Sequence, residues 1–257
     1  MSETIDQSIL QSLDADNQAL LGFFPYIFQD VNELGTCSKK IACILEPRIK
    51  SRTAMRVLDL GCGKGSTCLY LASKYACECL GVDGLHAFIL EAKQKAREQN
   101  LRHLCRFEVN DVRKLVDDQY HFDVVILGGL GPVFGDYELT FEAVSKFLRT
   151  GGLLVLDEVY SIDEPSTDDD VLSKREIVEP AKAKGLLLCD EIQLSAMELV
   201  ADNQQLLTHI RTRCDELKEK YPADRAIFEQ YVCSQEIENN CLEKHLVSSI
   251  MLFEKSA

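Results

Sequence analysis

Short apolar runs alternate with amphipathic stretches from Met55 onward, and this alternation restricts the fold more than any other feature of the chain. Apolar runs of strand length are typical of strands that are buried on both faces, and the stretches between them are typical of covering helices. The pattern therefore predicts an α/β protein with a largely parallel sheet. The predicted strands are Met55 to Leu60, Cys77 to Val82, Cys105 to Asn110, Phe122 to Leu127, Leu153 to Val159, Leu186 to Leu194 and Leu246 to Phe253.

Helical periodicity occupies the intervals between the predicted strands. Apolar residues recur with the spacing of one helix face from Gly65 to Lys74, from Leu85 to Asn100 and from Glu138 to Leu148. Gly151 and Gly152 follow the last of these segments and are predicted to stop its helix.

Two segments fall outside this alternation, and we expect substrate specificity to reside in them. The N-terminal apolar clusters predict one or two amphipathic helices, and the later segment holds two helical patterns separated at Tyr221 and Pro222. The predicted organisation is an N-terminal helical cover at residues 1–50, a core at 51–195, a helical lid insertion at 196–244 and the last strand of the core at 245–257.

Charge and composition exclude several classes of protein. The chain of 257 residues has 28 Lys and Arg against 42 Asp and Glu, and its net charge of −14 repels phosphate backbones and anionic lipid. No apolar run approaches the roughly 20 residues of a membrane span, and the polar start from Met1 to Gln7 does not resemble a signal peptide. We therefore expect a cytoplasmic protein with neither nucleic acid nor membrane as its partner; the sequence does not predict an oligomeric state.

Eleven cysteines raise the question of disulfides or a metal site. There is no CxxC pair; Cys77 and Cys79 form a CxC, and no histidine follows at zinc-finger spacing. In a reducing compartment, a free cysteine most often behaves as a small buried hydrophobic residue. We therefore expect burial to account for most of the cysteines, and we predict no metal site.

The sequence VLDLGCGKGST, Val57 to Thr67, has the order of a strand, a glycine turn and a helix. Gly61 and Gly63 allow the backbone to approach a ligand closely, and Gly65 opens the helix. Dinucleotide-binding loops read GxGxxG, whereas this loop reads GxGxG and follows an acid, Asp59. An acid at this point disfavours phosphate and favours a cationic ligand such as S-adenosylmethionine (SAM), which carries an ammonium and a sulfonium.

Acids also end the next two predicted strands. Asp83 lies 24 positions after Asp59, where its carboxylate can accept hydrogen bonds from both hydroxyls of a ribose. Asp111 stands where it can accept a hydrogen bond from an adenine amino group, with Val112 beside the ring. The predicted cofactor-binding residues are Asp59, Gly61, Cys62, Gly63, Gly65, Asp83, Gly84, Asp111, Val112 and Gly128.

The segment from Met55 to Val159 resembles the class I SAM-dependent methyltransferases. The resemblance rests on VLDLGCGKG, on GVD ending at Asp83, on NDV from Asn110 to Val112 and on FDVVILGG from Phe122 to Gly129. It implies a Rossmann-like, seven-stranded, mostly parallel sheet with an antiparallel last strand and helices on both faces. It further implies that the glycine loop surrounds the methionine end of SAM and that Asp83 binds the ribose.

The resemblance also bears on the methyl acceptor. Enzymes of the family that methylate nucleobase amino groups usually carry (Asp/Asn)-Pro-Pro-(Tyr/Phe) after the fourth strand, whereas this chain reads GGLGP from Gly128 to Pro132. The helical insertion before the last strand resembles a small-molecule branch of the family. Phe24, Tyr26 and Phe28 are candidates to close over the cofactor, and plain core packing is an equal explanation for them.

The predicted function is methyl transfer from SAM to a small-molecule acceptor by in-line displacement. Ligands of open parallel sheets bind at the carboxyl ends of the strands, so the candidate catalytic residues are Asp157, Glu158 and Tyr160. We expect Glu158 to orient an amine and to accept its proton, and the net charge favours neutral or cationic acceptors. A purely structural, hydrogen-bonded strand end is the alternative for these three residues.

Two other functions stay open from the sequence. The chain can be a SAM-binding sensor or a scaffold without turnover. Arsenite or thiol methylation through the cysteines is a weaker alternative, because burial explains most of them.

Overall fold

The computed structural model describes residues 4–49, 54–115, 121–162 and 171–256. Within these residues the chain forms two compact units. One unit combines Met1–Asn32 with Leu194–Ser248, and the other, called here the sheet unit, combines Glu33–Gln193 with Ser249–Ala257.

The sheet has seven strands in the order β3-β2-β1-β4-β5-β7-β6. They are β1 Arg56–Leu60, β2 Glu78–Asp83, β3 Cys105–Val109, β4 Phe122–Gly128, β5 Leu148–Ser161, β6 Leu186–Gln193 and β7 Leu246–Lys255. Strands β3, β2, β1, β4 and β5 pair in parallel, while β7 pairs antiparallel with β6. The predicted fold class is confirmed, and the strand order reverses between β1 and β4, where ligands of such sheets bind.

Nine α-helices accompany the strands in the described ranges. The sheet unit contains α3 Ser38–Ile49, α4 Ser66–Tyr75, α5 His86–Glu98, α6 Tyr137–Phe147 and α7 Lys174–Ala183. The other unit contains α1 Ile5–Ser12, α2 Phe24–Ile27, α8 Ala196–Lys220 and α9 Arg225–His245.

The boundary between the two units of the structure lies after residue 32, whereas the predicted N-terminal cover, which stays a prediction, extends to residue 50. Helix α3 belongs to the sheet unit because its apolar face, including Ile41 and Leu45, is buried in one core with α4 and the sheet. The insertion is also slightly longer, since Leu194–Ser248 groups with the N-terminal helices. Its role as a lid stays a prediction.

Helix α6 ends at a different residue from the predicted one, and α7 was not predicted from the sequence. Helix α6 ends at Phe147, and Leu148 already pairs with Phe122 in the sheet. Gly151, with φ +70°, therefore lies within an irregular stretch of β5 and does not cap the helix. Helix α7 begins with a capping box between Ser173 and Glu176, a signal that was present in the sequence.

Aromatic and polar side chains join the helices of the other unit, Met1–Asn32 with Leu194–Ser248, called here the helical unit. Phe24 is fully buried, with its ring centroid 5.9 Å from that of Phe28 and 5.8 Å from that of Tyr231. The Tyr26 hydroxyl donates to Glu216 at 2.6 Å. In this unit, core packing therefore explains Phe24 and Phe28. No helix in the described part of the chain has the length and apolarity needed to cross a membrane.

Candidate cofactor and acceptor site

The glycine loop between β1 and α4 is held against β2 by its backbone. The amides of Gly61 and Cys62 donate to the Val82 carbonyl at 2.8 and 3.0 Å, and the Gly65 amide donates to the Cys62 carbonyl at 2.9 Å. Gly63 has φ +51° and Gly65 has φ +76°, a region that favours glycine. The sequence prediction of a strand, a tight glycine turn and a helix is confirmed for this segment.

Two glycines of the loop have neighbours so close that an added side chain would collide with them. A Cβ atom at Gly61 would lie 2.6 Å from the Leu130 side chain, which follows β4. A Cβ atom at Gly65 would lie 2.6 Å from Phe107 on β3. The loop therefore packs closely against β3 and against the segment that follows β4.

Asp83 ends β2 beside this loop. One carboxylate oxygen accepts the Gly63 amide at 2.8 Å and the other accepts the Leu85 amide at 2.8 Å. Burial raises the pKa of Asp83, and these two amides oppose the rise. Because each carboxylate oxygen has two lone pairs, both keep the capacity to accept from a diol. Gly84 lies between these contacts and is partly buried.

Asp59 is 4% exposed and its carboxylate accepts from the Cys68 thiol at 3.4 Å. Burial raises the pKa of Asp59 to about 7, and the nearby charge of Asp83 adds to the rise while the Cys68 contact opposes it. Asp59 is therefore a buried carboxyl that is only partly ionised at neutral pH, and its contact with Cys68 turns it toward α4. Burial also raises the pKa of the Cys62 thiol well above its ordinary value, so this thiol is neutral.

Asp111 and Val112 follow β3. The Asp111 carboxylate accepts from the Arg113 guanidinium at 2.9 and 3.1 Å and from the Arg113 amide at 3.0 Å. This guanidinium is the main reason that the pKa of Asp111 is lowered. Val112 is buried. The contacts with Arg113 hold the Asp111 carboxylate in place. Its unused lone pairs can still accept a hydrogen bond and so orient a ligand.

The two carboxylates of β5 lie on opposite faces of the sheet, as successive strand residues must. Asp157 pairs in register with Gly128 at the end of β4, and its carbonyl accepts the Gly129 amide at 3.2 Å. Burial raises the pKa of Asp157 to about 6, and Thr36 and the positive charge of Lys40 oppose the rise. A carboxylate with this pKa can exchange a proton near neutral pH.

Thr36 lies directly over Gly128. A Cβ atom at Gly128 would be 2.5 Å from the Thr36 hydroxyl oxygen. That oxygen is close enough to lower the pKa of Asp157. It is nevertheless buried, and no described residue is in hydrogen-bonding geometry with it. Gly128 is therefore required for close packing at the junction of β4, β5 and the segment before α3.

Glu158 faces Tyr137 on α6. Its carboxylate accepts from the Tyr137 hydroxyl and from the Val159 amide, the latter at 3.0 Å. Burial raises the pKa values of both Glu158 and Tyr137. The structure therefore does not pair Glu158 with Asp157, and it gives the Glu158 carboxylate a hydrogen-bonding partner within the fold.

The Tyr160 hydroxyl belongs to a polar cluster at the β5, β7 and β6 edge. It donates to Glu191 at 2.9 Å and accepts from Gln193 at 2.7 Å. Glu191 also binds Lys174 at 2.6 Å and Ser249 at 2.8 Å. Because burial and Glu191 raise the pKa of Tyr160 to about 12, this hydroxyl holds its proton and links the strands.

No group of His, Cys, Asp and Glu in the described ranges has an arrangement suited to a metal ion. All eleven cysteines are free. Cys68, Cys77, Cys79, Cys105 and Cys214 are buried, whereas Cys43, Cys233 and Cys241 are exposed, so burial accounts for fewer cysteines than expected.

Comparison with known proteins decides the family. A family model described as a methyltransferase domain matches residues 51–236, which is most of the chain. The chain belongs to this methyltransferase family. It is 26% identical over 180 residues to the uncharacterized methyltransferase YcgJ of Bacillus subtilis, covering 70% of this chain and 67% of the relative. It is 25% identical over 162 residues to norajmaline N-methyltransferase of Rauvolfia serpentina, covering 62% of this chain and 53% of that one.

The solved structures agree with this assignment at the level of the fold. A SAM-dependent methyltransferase from Geobacter sulfurreducens in complex with S-adenosylhomocysteine aligns with a TM-score of 0.75 and 18% identity, covering 90% of this chain and 97% of that one. The matched part of the chain spans only about half the length of the norajmaline enzyme.

The residues of the methyltransferase fit SAM, the methyl donor. Asp83 offers carboxylate oxygens to a ribose diol, and the loop at Gly63 has no side chain to obstruct a ligand. Asp59 places a buried carboxyl with a pKa of about 7 next to the loop, and a cationic ligand would favour its ionised form. Thr36, Leu130, Lys64 and Tyr137 were not predicted as site residues from the sequence. Of these four, only Lys64 lies within a motif, the glycine loop GCGKG.

Proposed function

We propose that the methyltransferase transfers the methyl group of SAM to a neutral or cationic small-molecule amine, with Asp157 as the carboxylate that serves the acceptor. The observation that carries this proposal is the position of Asp157 in β5 directly opposite Gly128, the last residue of β4, together with its pKa of about 6. Asp157 is preferred to Glu158 because Tyr137 already donates to Glu158.

The chemistry asked of the protein is modest. SAM supplies an electrophilic methyl group when bound. Alignment of the acceptor contributes most to such a displacement, and a base is needed where the attacking nitrogen must first lose a proton. The Asp157 carboxylate, ionised above its pKa, orients the ammonium form by charge and accepts that proton. Tyr160 is assigned to the strand cluster, and Glu158 to the support of α6.

A pH profile tests this assignment. Because Asp157 must be ionised to act as a base and its pKa is about 6, kcat/KM is expected to rise as the pH increases through this value. Asp157→Asn should lower kcat/KM by about 10²–10⁴-fold, the usual contribution of a general base. Steady-state rates from pH 5 to about 9 with an amine acceptor found by screening provide the measurement.

Two further variants show whether the pH dependence belongs to Asp157. Glu179→Gln on the exposed face of α7 makes the same chemical change away from the site and should leave the profile intact. If Glu158→Gln removes the rise and Asp157→Asn does not, then the acceptor carboxylate is Glu158 and the assignment is wrong.

Other properties support the same proposal. The net charge of −14 favours cationic over anionic acceptors and opposes nucleic acid as a substrate. The norajmaline relative is named as an N-methyltransferase. We further propose the cytoplasm as the location of the protein, because a count of eleven cysteines without a CxxC pair suits a reducing compartment. None of the comparisons favours a sensor or a scaffold.

A further inference from the structure

Lys64 is the one charged residue within the glycine loop GCGKG, between Gly63 and Gly65. Its side chain is completely buried. A lysine is rarely buried to this extent unless its ammonium is paired, because removing the charge from water is costly. The burial of Lys64 therefore needs an explanation beyond the strand, turn and helix order of the motif.

The ammonium of Lys64 pairs with a carboxylate on α5, the second helix after the loop. The Lys64 ammonium lies 3.0 Å from Glu91 on α5 and 5.7 Å from the centre of the Phe88 ring. Glu91 also pairs with Lys95 at 2.8 Å. Both lysines lower the pKa of Glu91 against the effect of burial, so Glu91 is ionised at neutral pH.

This ion pair connects the two elements to which the cofactor contacts are assigned. The family resemblance assigns the glycine loop to the methionine end of SAM, and α5 begins just after Asp83, the carboxylate assigned to the ribose. The Gly63 amide already donates to Asp83 from the loop side. Lys64 adds a side-chain connection from the same loop to α5, one residue further along.

We propose that Lys64 is a positioning residue for SAM, which holds the glycine loop in its binding conformation through Glu91. The loop contains three glycines with positive φ, and glycine has the largest backbone freedom to lose on ordering. A loop that is already ordered binds more tightly, because less entropy is lost when the ligand arrives. This inference rests on the proposed function, since it assumes that SAM binds at the loop.

Calorimetric titration with S-adenosylhomocysteine tests the inference. Lys64→Met removes the charge and keeps the length, and it is expected to raise the Kd at least tenfold. Lys64→Arg keeps a charge that reaches Glu91 and should recover part of the affinity. Lys95→Met removes the other partner of Glu91 and should leave the Kd within twofold of the wild type. Lys64→Met combined with Glu91→Gln should be no worse than Lys64→Met, because the two residues act as one unit.

The outcomes separate the possible roles. Thermal unfolding of each variant shows whether it is folded, and a merely structural role would lower the Tm without raising the Kd of the folded protein. An unchanged Kd in folded Lys64→Met, or an equal rise in Lys95→Met, would overturn the inference. If Lys64→Met does not fold, Glu91→Gln decides, because it removes the partner and leaves the lysine in place: an unchanged Kd in folded Glu91→Gln contradicts the inference. A wild-type protein that does not bind S-adenosylhomocysteine contradicts the proposed function itself.

Discussion

Asp83→Ala is expected to weaken SAM binding at least tenfold. A carboxylate that accepts from two ribose hydroxyls makes charge-assisted hydrogen bonds, which alanine cannot replace. In this structure the same carboxylate accepts the amides of Gly63 and Leu85, so its removal also releases the glycine loop from β2. Calorimetric titration of the folded variant with SAM measures the effect.

Two further variants separate the contributions of Asp83. Asp83→Asn preserves the shape but replaces one acceptor oxygen with a donor, which must face a backbone amide or a hydroxyl. We expect its affinity to be nearly as low as that of Asp83→Ala. Glu78→Ala, at the exposed start of the same strand, is the matched control. Normal affinity in Asp83→Ala would mean that the ribose binds elsewhere.

Gly65→Ala is expected to cause the largest loss of stability among the loop substitutions. The added Cβ would lie 2.6 Å from Phe107 and 2.9 Å from Ala92, on a backbone with φ +76°. Left-handed strain costs about 1–2 kcal/mol and overpacking about 1–3 kcal/mol. Together they amount to about 2–5 kcal/mol, which corresponds to a fall in Tm of about 5–20 °C. Calorimetric unfolding measures the change.

Matched glycines divide this cost into its two parts. Gly129 has φ +63° and open space around its Cβ position, so Gly129→Ala should show the backbone strain alone. Gly22 has open space and lacks a positive φ, so Gly22→Ala should leave the Tm nearly unchanged. Phe107→Leu in the Gly65→Ala background should recover part of the loss by relieving the crowding. Equal Tm values for Gly65→Ala and Gly129→Ala would show that Phe107 moves away without cost.

The sheet could be predicted because its signals are local. Each strand is a short apolar run, and the loop after β1 requires glycines where the backbone turns and neighbours approach. Asp83 is the last residue of β2 and Asp111 lies two residues after the end of β3, so their placement at one sheet edge follows from the parallel order of β1, β2 and β3. The prediction that Gly151 stops α6 was wrong. Leu148 already pairs with Phe122 in the sheet, so the chain has left the helix before it reaches Gly151.

The division between the two units depended on contacts that are distant in the chain. Helix α3 has an amphipathic pattern like that of the helices before it, and the pattern does not state which core will bury it. Packing against α4 and the sheet decided that α3 joins the sheet unit. The burial of Phe24 beside Tyr231 likewise brings together residues that lie far apart in the sequence.

The fold class, the glycine loop and the carboxylate that ends β2 could be predicted from the sequence, because each depends on residues that are neighbours along the chain. Alternation along a strand already places Asp157 and Glu158 on opposite faces, and the tertiary structure distinguishes them by their partners, since Tyr137 donates to Glu158. Only the tertiary structure also assigned Tyr160 to a cluster with Glu191 and paired Lys64 with Glu91. The physical reason is that pKa, burial and hydrogen bonding of a side chain are set by the groups that pack around it, and these come from distant parts of the chain.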